Sequence, residues 1–232
     1  MSHSHAPSLV VCAALTLLLA GCANSTPAAT STPEATATSS PTPEPPAVAA
    51  LVVGGAALTA VDDAGAEIWK TSYTADPAEV VATLAELFES APEVVDHPGD
   101  ESCTPADTRA SWGGFTISYD TDFLPEGQLF QVLATTPAVD DVSIRTPQSA
   151  AVGSSFTEIS SGLPAEQIGQ EYEWENGVGR WVDYEVAGGA YSDPNATESF
   201  DGSLPEYWGA KARLLDGTVE LLMAPTVFVS YC

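Results

Sequence analysis

The chain has 232 residues, 44% of them hydrophobic, which is enough for one core of ordinary size or two small ones. Its 32 acidic and 6 basic residues give a formal net charge of -26 at pH 7. Such a surface repels nucleic acid and lacks the clustered Arg or Lys that phosphorylated ligands need, so we expect no nucleic-acid partner.

An apolar run near the N-terminus ends in Leu19-Ala20-Gly21-Cys22. The run covers residues 9–20, which is shorter than the about 20 residues that span a bilayer and has the length of a signal-peptide core. Its end resembles the lipobox of bacterial lipoproteins, in which the cysteine thiol receives a diacylglycerol and the peptide is cut just before it.

The lipobox resemblance implies a signal peptide over residues 1–21 and a mature chain that begins at an acylated Cys22. Two acyl chains are sufficient for stable attachment, so the resemblance places the protein on the extracytoplasmic face of the cell membrane. Residues 1–8 contain no Lys or Arg, although signal peptides normally carry positive charge there. An ordinary cleaved signal is therefore the alternative.

Residues 22–50 are predicted to form a disordered tether. Between 24 and 48 the chain is Ala, Ser, Thr and Pro with scattered Glu and no aromatic residue, so it cannot bury a core. An extended Pro-rich chain rises about 3.1 Å per residue, and the tether could hold the folded part roughly 80 Å from the membrane. That reach suits a cell-wall environment.

The first part of the folded region predicts two strands, over 51–60 and 67–73, and then a helix over 76–88. Asp76 is the expected N-cap of this helix, and Glu79 stands at capping-box spacing from it. Apolar residues follow at helical spacing, which favours a face packed on a sheet.

The middle of the chain predicts a polar segment over 96–107 and a strand over 109–119. We interpret Gly113-Gly114 inside that strand as a bulge. Further strands are predicted over 129–134 and 142–145.

A second helix is predicted after residue 154, with Ser155 as its cap and Glu158 at capping-box spacing. Two turn signals, Asn176-Gly177 and Asp216-Gly217, predict β-hairpins. The predicted strands on either side of these turns, and the last strand of the chain, cover residues 170–175, 179–186, 211–215, 218–223 and 227–231.

This order of elements predicts an α+β domain over 51–232, built as two halves, 51–140 and 141–232, each with one helix on a small antiparallel sheet. The pattern T-P-x-x-x-x-V-G that starts at Thr146, and Trp112-Gly113-Gly114, resemble secreted lipoproteins of high-GC Gram-positive bacteria. More faintly they resemble the helix-plus-sheet repeats of beta-lactamase inhibitor proteins, which implies tandem repeats that act as binding modules.

Two cysteines, Cys103 and Cys232, lie in the folded region. An exported protein usually pairs two such cysteines, so we expect a disulfide between them, which would stabilise the fold by roughly 4–5 kcal/mol. Two free thiols are the alternative.

Catalytic motifs are sparse in the mature sequence. His97 is its single histidine, so a Ser-His-Asp triad could use only that residue and a multi-histidine metal site is excluded. The acidic loops could bind calcium, although no EF-hand spacing occurs. The two groups of acidic residues are Asp96, Asp100 and Glu101, and Asp183, Glu185, Asp193, Glu198 and Asp201.

The sequence therefore predicts a lipid-anchored extracytoplasmic binding protein without catalytic activity, cofactor or metal, which binds a protein or a cell-wall ligand. The alternative is an extracellular carbohydrate-active hydrolase with paired carboxylates and aromatic sugar platforms. Its candidate platforms are Trp174, Trp181, Trp208, Tyr184 and Tyr191.

Overall fold

The computed structural model describes residues 47–99, 106–121, 124–174, 176–188 and 208–227. The strands in these ranges are β1 Ala50–Val53, β2 Ala57–Val61, β3 Glu67–Ser72, β4 Glu93–His97, β5 Asp107–Trp112, β6 Phe115–Tyr119, β7 Phe130–Ala134, β8 Ala138–Val139, β9 Val142–Arg145, β10 Tyr172–Trp174, β11 Gly177–Gly188, β12 Trp208–Leu215 and β13 Thr218–Val227. The helical segments there are α1 Pro77–Leu87, α2 Phe156–Ser160 and a 3-10 turn over Ala165–Gln167.

Strands dominate this part of the chain and form two sheets. One has five strands in the order β3-β2-β1-β9-β8, and the other has eight in the order β10-β11-β12-β13-β7-β6-β5-β4. Neighbouring strands are antiparallel except β1 and β9, which run parallel. The helices have only 11 and 5 residues, so the fold is β-rich and the predicted α+β class is wrong.

The two predicted halves are also wrong, because each sheet mixes strands from both sides of residue 140. In the five-stranded sheet, Leu51 of β1 is the register partner of Ile144 of β9. In the eight-stranded sheet, Leu133 of β7 is the partner of Met223 of β13. A division between 140 and 141 would therefore cut both sheets, and the helices do not each cover a sheet of their own.

Some strand boundaries differ from the prediction because glycines make turns. The predicted strand 51–60 is the hairpin β1–β2, closed by a Gly54 N–H that donates to the carbonyl of Ala57 at 3.1 Å. Gly113-Gly114 is the turn between β5 and β6 and not a bulge, and Gly113 has a φ of +60°. The sequence does not predict β4, because its last two residues belong to the polar segment 96–107.

The helix starts and two hairpins are confirmed. The Asp76 carboxylate accepts a hydrogen bond from Ala78 N at the start of α1. Ser155 and Glu158 form a reciprocal capping box at the start of α2. Both hairpins are present. β10 and β11 meet around Asn176, but Gly177 already belongs to β11 as the partner of Trp174, whereas Asp216-Gly217 is the turn between β12 and β13 as predicted.

One hydrophobic core lies against the inner faces of the two sheets and α1. Phe88, which caps α1 at its C-terminus, meets Trp112 and Phe115 edge-on, at centroid distances of 5.4 and 5.7 Å. Tyr73 and Tyr184 are fully buried, and their hydroxyls donate to the carbonyls of Gly54 at 2.7 Å and Val53 at 3.0 Å. Burial raises the pKa of both tyrosines well above the usual value.

The predicted signal peptide, Cys22, most of the predicted tether, Cys103 and Cys232 lie outside the described residues, so the acylation and the disulfide stay predictions. None of the helices in the described ranges has the length and apolar composition to cross a bilayer.

Candidate functional site on the outer sheet face

The eight-stranded sheet presents one face to the core and the opposite face, here called the outer face, away from it. Side chains alternate between the two faces along each strand. On β5, Ala110 and Trp112 are buried in the core, whereas Asp107 and Arg109 lie on the outer face. The register pairs Arg109 with Ser118 of β6, which brings a carboxylate, a guanidinium and a hydroxyl together.

Asp107 is the centre of this group. Its carboxylate accepts from Arg109 Nε at 2.8 and 3.1 Å and from Ser118 Oγ at 2.6 Å. The Asp107 side chain is only 4% exposed, whereas that of Arg109 is 42% exposed. A buried carboxylate needs such donors, so Asp107 holds the inner edge of the guanidinium in a fixed position.

A pocket of about 320 Å³, here called the Arg109 pocket, opens above this pair. That volume lies within the range typical of small-molecule sites, which begins near 300 Å³. The lining comes from β5, β6, β7 and the β6–β7 connection and consists of Asp107, Arg109, Gly114, Thr116, Ser118, Thr121, Leu124, Gln131, Leu133 and Thr135. Hydroxyl and amide groups therefore surround a single half-exposed cation.

His97 lies beside this group but does not complete a Ser-His-Asp relay. Its Nδ1 accepts a hydrogen bond from Gly99 N at 3.2 Å and is 3.9 Å from Asp107 Oδ1, which is beyond hydrogen-bond distance. The Ser118 hydroxyl donates to the carboxylate of Asp107, whereas a triad requires the hydroxyl to bond to the imidazole.

The opposite end of the outer face carries a row of alternating aromatic and cationic side chains, Trp174, Arg213, Trp181 and Lys211, here called the aromatic–cation row. The Arg213 guanidinium carbon lies 4.8 Å from the centroid of the Trp174 ring and 5.8 Å from that of Trp181. Lys211 Nζ lies 5.2 Å from the Trp181 centroid. These distances fit cation–π contacts.

Lys211 is also the cross-strand partner of Asp183, and Lys211 Nζ lies 3.6 Å from Asp183 Oδ1. The side chains are 14% and 2% exposed, respectively. Burial lowers the pKa of Lys211 to about 8, although the neighbouring Asp183 carboxylate acts in the opposite direction.

The acidic residues proposed for calcium do not assemble in the described ranges. Asp96 accepts from Thr108 Oγ1 at 3.0 Å, Asp183 pairs with Lys211, and Glu185 accepts from Gly55 N at 3.0 Å. The remaining acidic residues, Asp100, Glu101, Asp193, Glu198 and Asp201, lie outside those ranges. Among described residues there is no cluster of three metal-ligating side chains.

The aromatic residues considered as sugar platforms occupy different environments. Tyr184 is in the core, Trp181 is stacked in the row, and Trp174 is 43% exposed. Trp208 begins β12 and is partly buried, and Tyr191 is outside the described residues. Among the described members of this set, Trp174 and Trp181 both lie against Arg213, whereas Tyr184 is separated from them in the core.

Sequence reasoning missed Asp107, Arg109 and Ser118 as site residues. The available signal was the i, i+2 spacing of Asp107 and Arg109 within a strand, which places a carboxylate and a cation on the same face. Ser118 could not be added from the sequence without the register of β5 and β6.

Comparison with known proteins finds no matching family model, no similar curated protein and no similar solved structure.

Proposed function

We propose that the chain is a lipid-anchored extracytoplasmic binding protein, attached to the membrane through Cys22, with its ligand in the Arg109 pocket. The observation that carries the binding role is the guanidinium of Arg109, fixed by a buried carboxylate at the base of a pocket lined by hydroxyl and amide groups. Fixed polar groups in a concave site give orientation and specificity to a small polar ligand.

The same geometry supports binding rather than catalysis. Asp107 accepts three hydrogen bonds and is almost fully buried, so its oxygens are already used within the protein. Ser118 donates to that carboxylate, which makes it a support for the acid and not an activated nucleophile. The apolar run and the lipobox-like Cys22 support export and anchoring.

The anchor is tested by detergent phase separation and intact mass of the full chain expressed in a bacterium that processes lipoproteins. The wild-type protein should enter the detergent phase with the mass of a diacylglycerol on a chain that begins at Cys22. Cys22→Ser should abolish the lipid mass. Cys12→Ser is the matched control, because it changes a cysteine in the apolar run and should leave lipidation intact. A wild-type protein without lipid would contradict the anchor.

Binding is tested with soluble fragments from an enzymatic digest of bacterial cell wall, which carry both sugars and peptides. The full chain in detergent should bind them saturably in a calorimetric or fluorescence titration. Arg109→Gln should weaken the binding, whereas Arg145→Gln, a matched arginine on β9 that donates to Ser149, should not. Equal binding by wild type and Arg109→Gln would show that the ligand does not bind in the Arg109 pocket.

A further inference from the structure

We infer that the Arg109 pocket recognises a single carboxylate on an otherwise uncharged polar ligand, such as the free end of a short peptide or a sugar acid. The inference rests on the proposed function, because it requires that the pocket holds the ligand. It specifies the chemical group of the ligand that Arg109 binds and the chemical character of the rest of the ligand.

The orientation of Arg109 is the first step. Guanidinium is planar, with Nε on one edge and the two terminal amino groups on the other side. Both contacts to Asp107 use Nε, so the terminal groups are the part of Arg109 that a ligand can reach. Two parallel N–H donors match the two oxygens of a carboxylate, and Arg109 is fixed before the ligand arrives.

The charge around Arg109 limits the ligand to one negative charge. Asp107 offsets much of the guanidinium charge, and the chain as a whole carries -26 at pH 7. Phosphate groups carry more charge and are normally bound by clusters of cations. The other two cations of the outer face, Lys211 and Arg213, lie on β12, three strands beyond β6 in the order β6-β7-β13-β12.

The other residues that line the pocket fit a ligand that is uncharged apart from its carboxylate. Gln131 Nε2 donates to the carbonyl of Pro225 at 2.8 Å, which fixes the amide and directs its Oε1 to the role of acceptor. The Thr135 hydroxyl donates to the carbonyl of Gly114 at 3.2 Å and can accept from a ligand, and the Thr116 hydroxyl shares a hydrogen bond of 3.0 Å with that of Ser111. Leu124 and Leu133 add an apolar wall, so a ligand with N–H or O–H groups and a small apolar part fits better than a fully ionic one.

The experiment titrates the full chain with two matched pairs, N-acetyl-alanyl-alanine with its C-terminal amide, and glucuronic acid with glucose. In the wild type, the acid of at least one pair should bind with an affinity at least about ten times that of its neutral partner. The pair that shows the difference identifies the source of the carboxylate, a peptide end or a sugar acid.

Variants connect that difference to Arg109. Arg109→Gln should remove the preference for the acid, Arg109→Lys should retain only part of it because lysine cannot bind bidentately, and Arg145→Gln should leave it unchanged. The ligand pairs also test the inference on the wild type alone, in case Arg109→Gln is poorly folded.

The outcomes separate the two proposals. If wall fragments bind through Arg109 but neither acid binds better than its neutral partner, the carboxylate inference is wrong and the binding function stands. If an acid preference survives in well-folded Arg109→Gln, the inference is also wrong. If wall fragments and all four compounds fail to bind, both the carboxylate inference and the proposed binding function are wrong.

Discussion

Two buried carboxylates on the outer face of the eight-stranded sheet, Asp107 and Asp183, pair with cations that differ in exposure. Asp107 and Asp183 are both buried, at 4% and 2% of the side chain, but Arg109 is 42% exposed and Lys211 only 14%. A buried acid fixes its cation in both places. At one end the cation still has donors for a ligand, whereas at the other it is enclosed against an indole ring.

The two pairs therefore have different energetic roles. Removing one partner of a buried pair leaves the other charge uncompensated, which costs several kcal/mol of folding free energy. At a half-exposed cation, water screens the interaction and part of the charge can be solvated. We expect the Lys211 pair to control stability and the Arg109 pair to control binding.

The largest expected effect is at Asp183. Asp183→Asn should lower the free energy of unfolding at pH 7 by about 3–5 kcal/mol, because Lys211 stays buried without the carboxylate that opposes the effect of burial on its pKa. Arg109→Gln should cost only about 1–2 kcal/mol, since Ser118 still donates to Asp107. Urea unfolding of both variants measures the difference. The double variant Asp183→Asn/Lys211→Met should recover much of the loss, and equal losses for both single variants would break the comparison.

The second effect is a pH dependence that only the Lys211 pair should show. The pKa of Lys211 falls from its ordinary 10.5 to about 8 on folding. Between these values the unfolded chain binds a proton that the folded chain does not, so the free energy of unfolding rises with pH. Below pH 8 the lysine is protonated in both states, and the cost of burying its charge is present in full.

The measurement compares urea unfolding at pH 7.5 and 9.5. The upper limit avoids the buried Tyr73 and Tyr184, whose raised pKa lowers stability once unfolded tyrosines ionise near pH 10. The rise between the two pH values should be smaller in Lys211→Met than in the wild type, and Arg109→Gln should keep the wild-type slope. A wild-type slope in Lys211→Met would assign the effect to other groups.

The smallest effect is expected at the exposed end of the aromatic–cation row. Trp174→Ala removes the ring that stacks on Arg213 and should destabilise the fold by about 0.5–1 kcal/mol. It should not change ligand affinity in the Arg109 pocket, which lies at the other end of the outer face. Val178→Ala, at another exposed apolar residue, is the control for loss of surface area. Weaker ligand binding in Trp174→Ala would show that the two ends form one site.

Local signals were enough to predict local structure. Asp76 and Ser155 have side chains that satisfy helix N–H groups, and both helix starts were predicted correctly. The two hairpins were also predicted, although Gly177 lies in β11 and not in the turn before it. Each of these features depends on residues within a few positions of one another, which is why the sequence alone could specify them.

The arrangement of strands could not be predicted in the same way. The pairing of β1 with β9 joins residues more than 90 positions apart, as in Leu51 with Ile144. No local residue signals such a contact, so the two helical patterns alone favour an α+β fold that the structure does not have. The Arg109 pocket depends on the same long-range register, since Gln131 is held by the carbonyl of Pro225 on β13. Of the pocket, the sequence alone shows only the i, i+2 spacing of Asp107 and Arg109 within a strand.

The central place of β1 in the five-stranded sheet has a mechanical consequence. β1 is the first strand after the predicted tether, and it is hydrogen-bonded to β2 on one side and to β9 on the other. If the proposed acylation of Cys22 holds the domain at the membrane, a pull along β1 would load both ladders in shear, so their hydrogen bonds would resist together instead of opening one at a time. The load on the tether would then be carried by the central strand of the sheet and not by an edge strand.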